Sequence, residues 1–453
     1  MTDFIIKKLP YELTSNAGLA LIGQYLKRIG LSRLVDAKFP LRAKGVANSD
    51  IIASYLGLLV QGKNDFDAIE AFRSDAFFKR SLGLAAVPSS PTLRQRMDAS
   101  ASAWFDLADQ LNLALLSSAY GGAPVDFGAL PCGYMPLDWD TFVMNNDGSK
   151  KEDVGRTYQG VDGYTPSAAY LGANGYCLEL ALRPGTQHSA LETEFNVQRI
   201  VPMAAKLTGL PLLFRADSGL CSARLMREIG AQAQALAREV AFIIKWNPRS
   251  APVEAIANER LADSAAAWTQ LRPGKRECLW QEALHLDGLG AEARRILRLT
   301  ERVIDKHGNA LLLPEYLLEG WTTTLPARFG AQDIIALYAE HATHEQFHSE
   351  FKSDMDLERL PSGKFDTNYL VCALASVALN MLRLIGQNAL TGKDAPIRHS
   401  AKRRRIKTVI QEMMCKAGRM IQHAGRWMLG LGANDSGFAV FERHYGTLKS
   451  AHG

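Results

Sequence analysis

The sequence predicts an α/β protein in which a helical region precedes a mixed sheet and a β-rich segment interrupts the sheet region. Apolar residues recur at the i, i+3, i+4 spacing of helices through residues 11–120. Strand-like and helical segments alternate through residues 135–245, and short strand patterns with turns fill residues 248–326. The chain has 453 residues, 47% of them hydrophobic, which is enough for two or three domains with cores.

The first predicted domain, residues 1–122, is helical and ends where a Gly-Gly-Ala-Pro run at residues 121–124 breaks the pattern. Residues 87–98 carry a helix start, with Ser as the N-cap and Pro at the first helical position. Arg94 and Arg96 then lie on a short polar helix. Such a helix suits contact with phosphate groups, and it suits an ordinary solvated surface equally well.

The second predicted domain begins at residue 123, and its first part ends at residue 247. Three strands in a meander are followed by helix, strand, helix and strand, which is the element order of an RNase H-like core. The predicted elements are strands 137–144, 167–171 and 176–182, then helix 192–208, strand 210–217, helix 223–236 and strand 240–245.

Three further parts are predicted after this core. Residues 248–327 have short strands with turns and are predicted as a β-rich insertion. Residues 328–395 return to helices that close the core. Their most apolar stretch, residues 369–386, contains an Asn and an Arg and is therefore predicted as a buried helix rather than a membrane span. Residues 396–453 form a basic tail.

Three carboxylates, those of Asp140, Asp217 and Glu345, are predicted to meet at the edge of the sheet. Asp138 and Asp140 lie on one side of an alternating strand. Asp217 ends a continuous apolar run, which is typical of a strand buried on both faces, and ligands collect at such strand ends. Glu345 lies on an uninterrupted helix predicted for residues 338–352. Carboxylates brought together repel one another unless they bind a divalent cation, so a metal site is predicted here.

Positive charge is concentrated at the C-terminal end of the chain. The formal net charge is +5, but residues 398–453 contain eleven Lys or Arg against three Asp or Glu. The run at residues 402–407 is the centre of this cluster, which indicates either a phosphate-binding surface or a solvated basic tail. Six scattered cysteines without a CxxC pair indicate a reducing cytoplasm and no structural zinc site. The first residues lack the charged and apolar order of a signal peptide.

The residues around Glu345 resemble a known family. Tyr338, Glu345 and Lys352 match the Tyr-x2-Arg-x3-Glu-x6-Lys signature of one branch of the DDE transposases of bacterial insertion sequences, with His341 where that family usually has Arg. Residues 138–166 and 215–219 resemble the group numbered thirteen-eighty among these elements. The resemblance covers roughly residues 50 to 390, with three separated motifs in the family's order.

The resemblance implies an RNase H-like fold and an enzyme that cuts the ends of an insertion sequence and joins them to target DNA. Asp140, Asp217 and Glu345 would bind two Mg²⁺ ions, which Mn²⁺ can replace, for metal-assisted phosphoryl transfer. Asp138 is the second candidate for the first aspartate. The family usually has Ser or Thr two residues after that aspartate, where Phe142 follows Asp140. Asp140 aligns better with the Lys-Lys-Glu that follows.

The resemblance also implies the partners. They are double-stranded DNA, namely the terminal inverted repeats and the target, and a second copy of the chain in a homodimer on paired ends, with no membrane. The expected location is the bacterial cytoplasm, associated with the nucleoid. The candidate DNA contacts are Tyr338, His341 and Lys352 beside the catalytic glutamate, Lys150, Lys151 and Arg156 on a polar loop, Arg94 and Arg96 in the N-terminal DNA-end-binding domain, and Arg403, Arg404 and Arg405 in a tail for DNA binding or dimerisation.

Two alternatives compete with this interpretation. The departures at His341 and Phe142 favour a remnant that binds DNA without cutting it. Residues 344–348 also form HExxH, the motif in which two histidines bind zinc and the glutamate is a general base in zinc proteases. The extended protease motif needs a third ligand downstream, where this chain has Asp354. Glu350 points away from Glu345 on a helix and is predicted at the surface.

Overall fold

The computed structural model describes residues 2–41 and 44–450 of the chain. Its strands are β1 Leu13–Thr14, β2 Met135–Thr141, β3 Met144–Asn145, β4 Gly155–Arg156, β5 Asp162–Tyr164, β6 Ser167–Leu171, β7 Tyr176–Ala181, β8 Leu212–Ala216, β9 Val240–Trp246, β10 Trp268–Arg272, β11 Lys275–Leu284, β12 Ala293–Ile304, β13 Ala310–Thr323, β14 Gly418–His423 and β15 Arg426–Leu431.

The α-helices are α1 Leu19–Arg28, α2 Leu31–Lys38, α3 Asn48–Leu59, α4 Ala76–Ser81, α5 Ser90–Ser100, α6 Phe105–Leu116, α7 Thr193–Leu207, α8 Ala223–Ala235, α9 Val253–Ala262, α10 Ala331–Ala339, α11 His344–Ser349, α12 Phe365–Ala389, α13 Ile406–Val409 and α14 Phe438–Ser450. Shorter 3-10 segments lie at Phe66–Phe72, Ser102–Trp104, Ser218–Leu220 and Glu340–Thr343, and π-helical turns at Glu350–Asp354 and Ile410–Met414. The mixed α/β class predicted from the sequence is confirmed.

A nine-stranded mixed sheet runs through the molecule in the order β10-β11-β12-β13-β9-β8-β2-β6-β7. Strands β2, β8 and β9 are parallel to one another, whereas β6 is antiparallel to β2 and β7 is antiparallel to β6. The strands β8 and β9 are wholly or mostly buried, as their continuous apolar sequences predict. This arrangement places the ends of β2 and β8 side by side.

The strands of the segment 248–327 belong to the same sheet. Strands β10 to β13 form an antiparallel meander, and β13 pairs with β9 from Gly320 to Thr323. The short strands predicted for this segment are present, and the helix α9 precedes them. The meander lengthens the central sheet on the β9 side, away from β6 and β7.

The N-terminal helices pack on the core helix α12. A buried hydrogen-bond network joins them: Asn380 of α12 donates to the carbonyl oxygen of Cys177 in β7, and Asn112 of α6 donates to the same oxygen at 2.8 Å. Helix α12 has the length and mean hydropathy of a membrane span, yet 94% of its most apolar window is buried within the protein. It is the core helix that its polar residues predicted.

The helix predicted for residues 338–352 is helical throughout but not regular. A 3-10 segment at Glu340–Thr343 precedes α11, and the π-helical turn Glu350–Asp354 follows it. Glu350 is 1% exposed, so its predicted position on the surface is wrong. Its carboxylate is bound by the buried guanidinium of Arg383 from α12 and, at 2.8 Å, by Arg403. These ion pairs hold the π-helical turn against α12 and against the C-terminal region.

The C-terminal residues fold back onto the rest of the molecule. Strands β14 and β15 form a hairpin, and β14 pairs with β1 near the N-terminus. Helix α14 packs against α1, where His444 lies 3.0 Å from the hydroxyl of Tyr25. The region predicted only as a basic tail therefore contains a hairpin and a helix that its charge pattern did not predict.

Candidate active site

Three of the predicted acidic residues line one cleft. Asp140 lies next to the end of β2, Asp217 directly follows β8, and Glu345 is in α11. All three contribute to a cleft of about 830 Å³. Asp140 and Asp217 are half-buried, and Glu345 is exposed to solvent. The strand ends and the helix therefore bring together carboxylates that are separated by 77 and 128 residues in the sequence.

The walls of this cleft are polar and partly basic. The residues that line it besides the three carboxylates include Arg156, Tyr158, His188, Arg249 and Lys352. The Lys352 ammonium donates to the carbonyl oxygen of Val143 at 2.8 Å and lies 3.1 Å from Glu358. Charge of both signs thus surrounds an open, water-accessible space.

Asp138 differs from Asp140, although it lies only two residues earlier on the same strand face. Its carboxylate accepts two hydrogen bonds from Arg215, at 2.6 and 2.7 Å, and lies 2.8 Å from Nδ1 of His341. Burial raises the pKa of Asp138, but the charges of Arg215 and His341 outweigh it and hold that pKa well below its usual range. Asp138 is therefore an internal anion with its cation already in place.

His341 takes part in that buried network. The imidazole is 2% exposed, so it lies inside the protein rather than on the surface of the cleft. The DNA contact predicted for His341 is corrected on this ground, because a phosphate cannot reach a buried ring. The carboxylate of Asp138 that His341 contacts also accepts from Arg215, which in addition donates to the carbonyl oxygen of Leu337 at 2.6 Å.

Asp140 faces two other histidines of the same helical segment. Nε2 of His344 lies 2.7 Å from its Oδ2, and Nε2 of His348 lies 3.9 Å from the same oxygen. Burial lowers the pKa of His344, but its hydrogen bond to Asp140 prevails and raises it. Burial, and then the charges of His344 and His341, lower the pKa of His348 well below its usual value. Asp140 is thus surrounded by imidazoles rather than by a guanidinium.

Among the described residues, the side chain of Asp217 has one hydrogen-bond partner, and that partner is neutral. The hydroxyl of Tyr338, in α10, donates to its Oδ1 at 3.0 Å. Burial and the negative charge of Asp217 raise the pKa of Tyr338 far above its usual value, so the hydroxyl keeps its proton. Tyr338 therefore orients the carboxylate of Asp217 from the helical segment 338–352, which also carries Glu345.

Comparison with known proteins identifies the family. The sequence profile described as "Transposase DDE domain group 1" matches residues 11–451. The chain belongs to this family. A solved structure with a similar arrangement of elements is the "Cryo-EM structure of piggyBac transposase synaptic complex with hairpin DNA", which has 11% sequence identity and a TM-score of 0.42 over 88% of this chain and 79% of that chain. No curated protein matches the sequence.

The DDE transposase family implies an enzyme of DNA cleavage and transfer. The polar loop of the transposase contributes Arg156 to the cleft, while Lys150 is exposed beside it. Lys151 is different, because its ammonium donates to the side chain of Asn146 at 3.2 Å and to the carbonyl oxygen of Leu360. Lys151 is therefore held inside the protein, whereas Lys150 and Arg156 are accessible to solvent.

The N-terminal arginines of the transposase lie on α5, as predicted. Ser89, rather than the predicted Ser90, caps this helix, and its hydroxyl accepts from the amide of Thr92 at 3.3 Å. Arg94 is exposed, with a guanidinium nitrogen 3.8 Å from Asp67. Arg96 is half-buried and donates to Asn48. Of the two predicted DNA contacts, Arg94 is the one that solvent reaches freely.

The arginines of the C-terminal region have partners inside the transposase. Arg404 is 9% exposed and donates to the carbonyl oxygens of Leu390 and His399 at 2.7 and 2.6 Å, which corrects its predicted DNA contact. Arg405 binds the buried carboxylate of Asp354 at 2.8 Å, as Arg403 binds Glu350. For Arg403 and Arg405, DNA binding stays a prediction, and a phosphate would compete with these ion pairs.

The contacts of His344 and His348 with Asp140 were not predicted from the sequence. The HExxH motif was visible, but a third partner was expected downstream in the same helix. The structure supplies it from β2, 204 residues earlier in the chain. No local pattern links these residues, because the link depends on how the helical segment lies across the sheet.

Proposed function

We propose that this transposase cuts the ends of an insertion sequence and joins them to target DNA by metal-assisted phosphoryl transfer. Asp140, Asp217 and Glu345 are the metal-binding carboxylates in this proposal. The observation that carries it is their meeting in one cleft, at the ends of adjacent parallel strands and on the helix that crosses them. Tyr338, Glu345 and Lys352 support placement in the branch with the Tyr-Arg-Glu-Lys signature, and residues 138–166 and 215–219 support the bacterial group numbered thirteen-eighty.

The order of the central strands supports an RNase H-like core as part of the proposal. Strands β7-β6-β2-β8-β9 combine an antiparallel meander with two parallel strands, in the order predicted for such a core. The meander β10–β13 is then the insertion between the second and third carboxylates. The helices of residues 1–122 would bind the DNA ends, and residues 328–395 would close the core.

The donors in the cleft fit divalent cations. Carboxylate oxygens are the ligands that Mg²⁺ and Mn²⁺ accept, and within the described residues no Lys or Arg forms an ion pair with Asp140, Asp217 or Glu345. A bound pair of cations supplies an activated water or 3′-hydroxyl and charge stabilisation at the leaving oxygen. The carboxylates are therefore available for metal, whereas Asp138 is not.

The other residues of the site contact the DNA or orient the carboxylates, and they do not bind the metal. Arg156 and Arg249 place positive charge where a DNA backbone would enter, and such charge attracts phosphates at long range. Tyr338 holds Asp217 in one orientation through its hydroxyl. Lys352, tethered to Val143, presents its ammonium at the wall of the cleft. Double-stranded DNA is the proposed substrate, and a homodimer on paired ends in the bacterial cytoplasm is the proposed assembly.

The test uses the full chain and a duplex that carries the inverted repeats flanking its gene. With Mn²⁺, alone or together with Mg²⁺, wild-type protein is expected to produce strand breaks at the repeat ends. Asp217→Asn and Glu345→Gln should lose cleavage and keep the gel-shift affinity of the wild type, because each removes a metal ligand and not a DNA contact. Glu340→Gln is the matched control, an exposed glutamate in the same helical segment that does not line the cleft.

Two results would change the proposal. Cleavage retained by Asp217→Asn or Glu345→Gln would exclude these carboxylates as the catalytic ligands. Wild-type protein that binds the repeats with Mn²⁺ present and makes no breaks would support the inactive remnant instead.

A further inference from the structure

A cluster of two histidines and one aspartate adjoins the carboxylate site. One donor atom each from Asp140, His344 and His348 lies within 4.8 Å of the other two. The histidines are four residues apart in α11, so both rings point to the same side of that helix. The strand β2 brings Asp140 against that side. Two nitrogens and one oxygen therefore converge on one point.

His348 is not satisfied by hydrogen bonds alone. The residue is 5% exposed, and its Nε2 has no hydrogen-bond partner among the described residues. That nitrogen faces Asp140 at 3.9 Å, which is too long for a hydrogen bond. A buried polar atom without a partner destabilises the folded state. A ligand that binds Nε2 would remove this destabilisation.

The other nitrogen of each ring is held by the protein. Nδ1 of His344 contacts the carbonyl oxygen of His341, and Nδ1 of His348 lies 3.2 Å from the hydroxyl of Tyr170. The ring of His348 also stacks on Phe142, with centroids 4.3 Å apart. Histidines that bind metal are oriented in this way, with the outer nitrogen bonded to a carbonyl or a similar group so that the inner one faces the ion.

We propose that Asp140, His344 and His348 form a transition-metal site, so that the ion held by Asp140 belongs to the Mn²⁺–Zn²⁺ series rather than being Mg²⁺. Imidazole suits first-row transition ions, whereas Mg²⁺ binds oxygen and keeps its waters. Asp217 and Glu345 offer oxygen alone, so the two halves of the cleft differ in the metal they select. A catalytic role for this ion rests on the proposed function, but its binding requires only the three donors.

The test follows Mn²⁺ by electron paramagnetic resonance in metal-stripped full-length protein. Wild type is expected to bind Mn²⁺ with spin-echo modulation from ¹⁴N of imidazole. Zn²⁺ should displace this ion and excess Mg²⁺ should not, because affinity at nitrogen sites rises from Mn²⁺ towards Zn²⁺. His348→Phe keeps the ring that stacks on Phe142 and removes the ligand. It should lose the ¹⁴N signal of that ring and weaken binding by at least about tenfold.

Matched variants keep the inference separate from the proposed function. His188→Ala removes a histidine that lines the cleft outside the cluster and should keep both signal and affinity. Asp217→Asn should keep the ¹⁴N signal while cleavage is lost. His344→Gln is a second ligand variant, and circular dichroism of the metal-stripped proteins checks folding. Bound Mn²⁺ without ¹⁴N modulation, or Mn²⁺ affinity unchanged in both ligand variants, would overturn the site and leave the carboxylate proposal standing.

Discussion

Two aspartates on one face of β2 have opposite surroundings. Asp138 is buried, and the guanidinium of Arg215 grips both of its oxygens. Asp140, two residues further along the strand, opens onto the cleft, and its ion-pair partners among the described residues are imidazoles. A guanidinium keeps its proton under all ordinary conditions, whereas an imidazole can give its proton up and bind metal instead. The partner of each aspartate, and not its spacing, decides whether it is available for chemistry.

The same contrast separates neighbouring cations. Lys151 donates to groups inside the protein, while Lys150 is exposed to solvent. Arg404 is buried against carbonyl oxygens, while Arg156 lines the cleft. Charges that are paired inside the protein stabilise the fold, whereas charges that are exposed or line the cleft face the substrate. Substitutions on the two sides of this division should therefore fail in different ways.

The largest expected effect is the loss of cleavage in Asp140→Asn. Removing one charge from the metal-binding carboxylates should lower the cleavage rate by at least about 10³-fold, or roughly 4 kcal/mol of activation free energy. The free energy of unfolding should change little, because the partners of Asp140 are imidazoles that can become neutral. Single-turnover cleavage and urea denaturation measure the two quantities. A stable, fully active Asp140→Asn protein would end the division between the two aspartates.

Asp138→Asn should show the reverse pattern in stability. It leaves the buried Arg215 without its anion, and breaking a buried pair in this way costs about 3–5 kcal/mol of unfolding free energy. The folded state lowers the pKa of Asp138, so its stabilisation is present above the unfolded value of about 3.9 and is lost as the pH falls further. Urea melts at pH 7 should therefore show a larger deficit than melts below about pH 4. An equal deficit at both would contradict the ion pair.

Local patterns predicted much of the fold and the place where the carboxylates meet. The apolar run before Asp217 and the alternation around Asp140 are properties of single strands, and these strands form where they were predicted. The partners of the buried charges could not be predicted in the same way. Asp138 faces Arg215 because β2 and β8 pair in one particular register. Register and long-range docking depend on the whole chain, which periodicity within one segment does not describe.

The C-terminal arginines show the same limit. Their density indicated a surface for phosphate, because a sequence window reveals charge and not partners. The carboxylates of Glu350 and Asp354 lie about fifty residues earlier and reach Arg403 and Arg405 only after the chain has folded back. Net charge therefore overstated how much of this region is open to DNA.

A smaller effect is expected from Tyr338→Phe. The substitution removes the hydroxyl that donates to Asp217 and keeps the ring near Trp321. A single hydrogen bond to a charged group contributes about 1.5–3 kcal/mol, so cleavage should fall by roughly ten- to a hundredfold with DNA affinity unchanged. The comparison of kcat with the gel-shift Kd measures this. A loss of affinity without a change in rate would place Tyr338 on the DNA instead of on the carboxylate.

The smallest effect is expected from Lys150→Ala, which distinguishes the exposed Lys150 from the half-buried Lys151. An exposed ammonium that contacts a phosphate releases about one counterion on binding, so its removal should weaken DNA affinity alike for all sequences and reduce the salt slope of log Kd by about 1. Lys151→Ala removes a half-buried donor to Asn146, so it should lower the unfolding free energy by about 1 kcal/mol and leave the salt slope unchanged. Binding titrations across a salt series, paired with urea melts, separate these outcomes. If Lys151→Ala reduced the slope and Lys150→Ala did not, an internal hydrogen bond would be a poor guide to which charges of this transposase reach DNA.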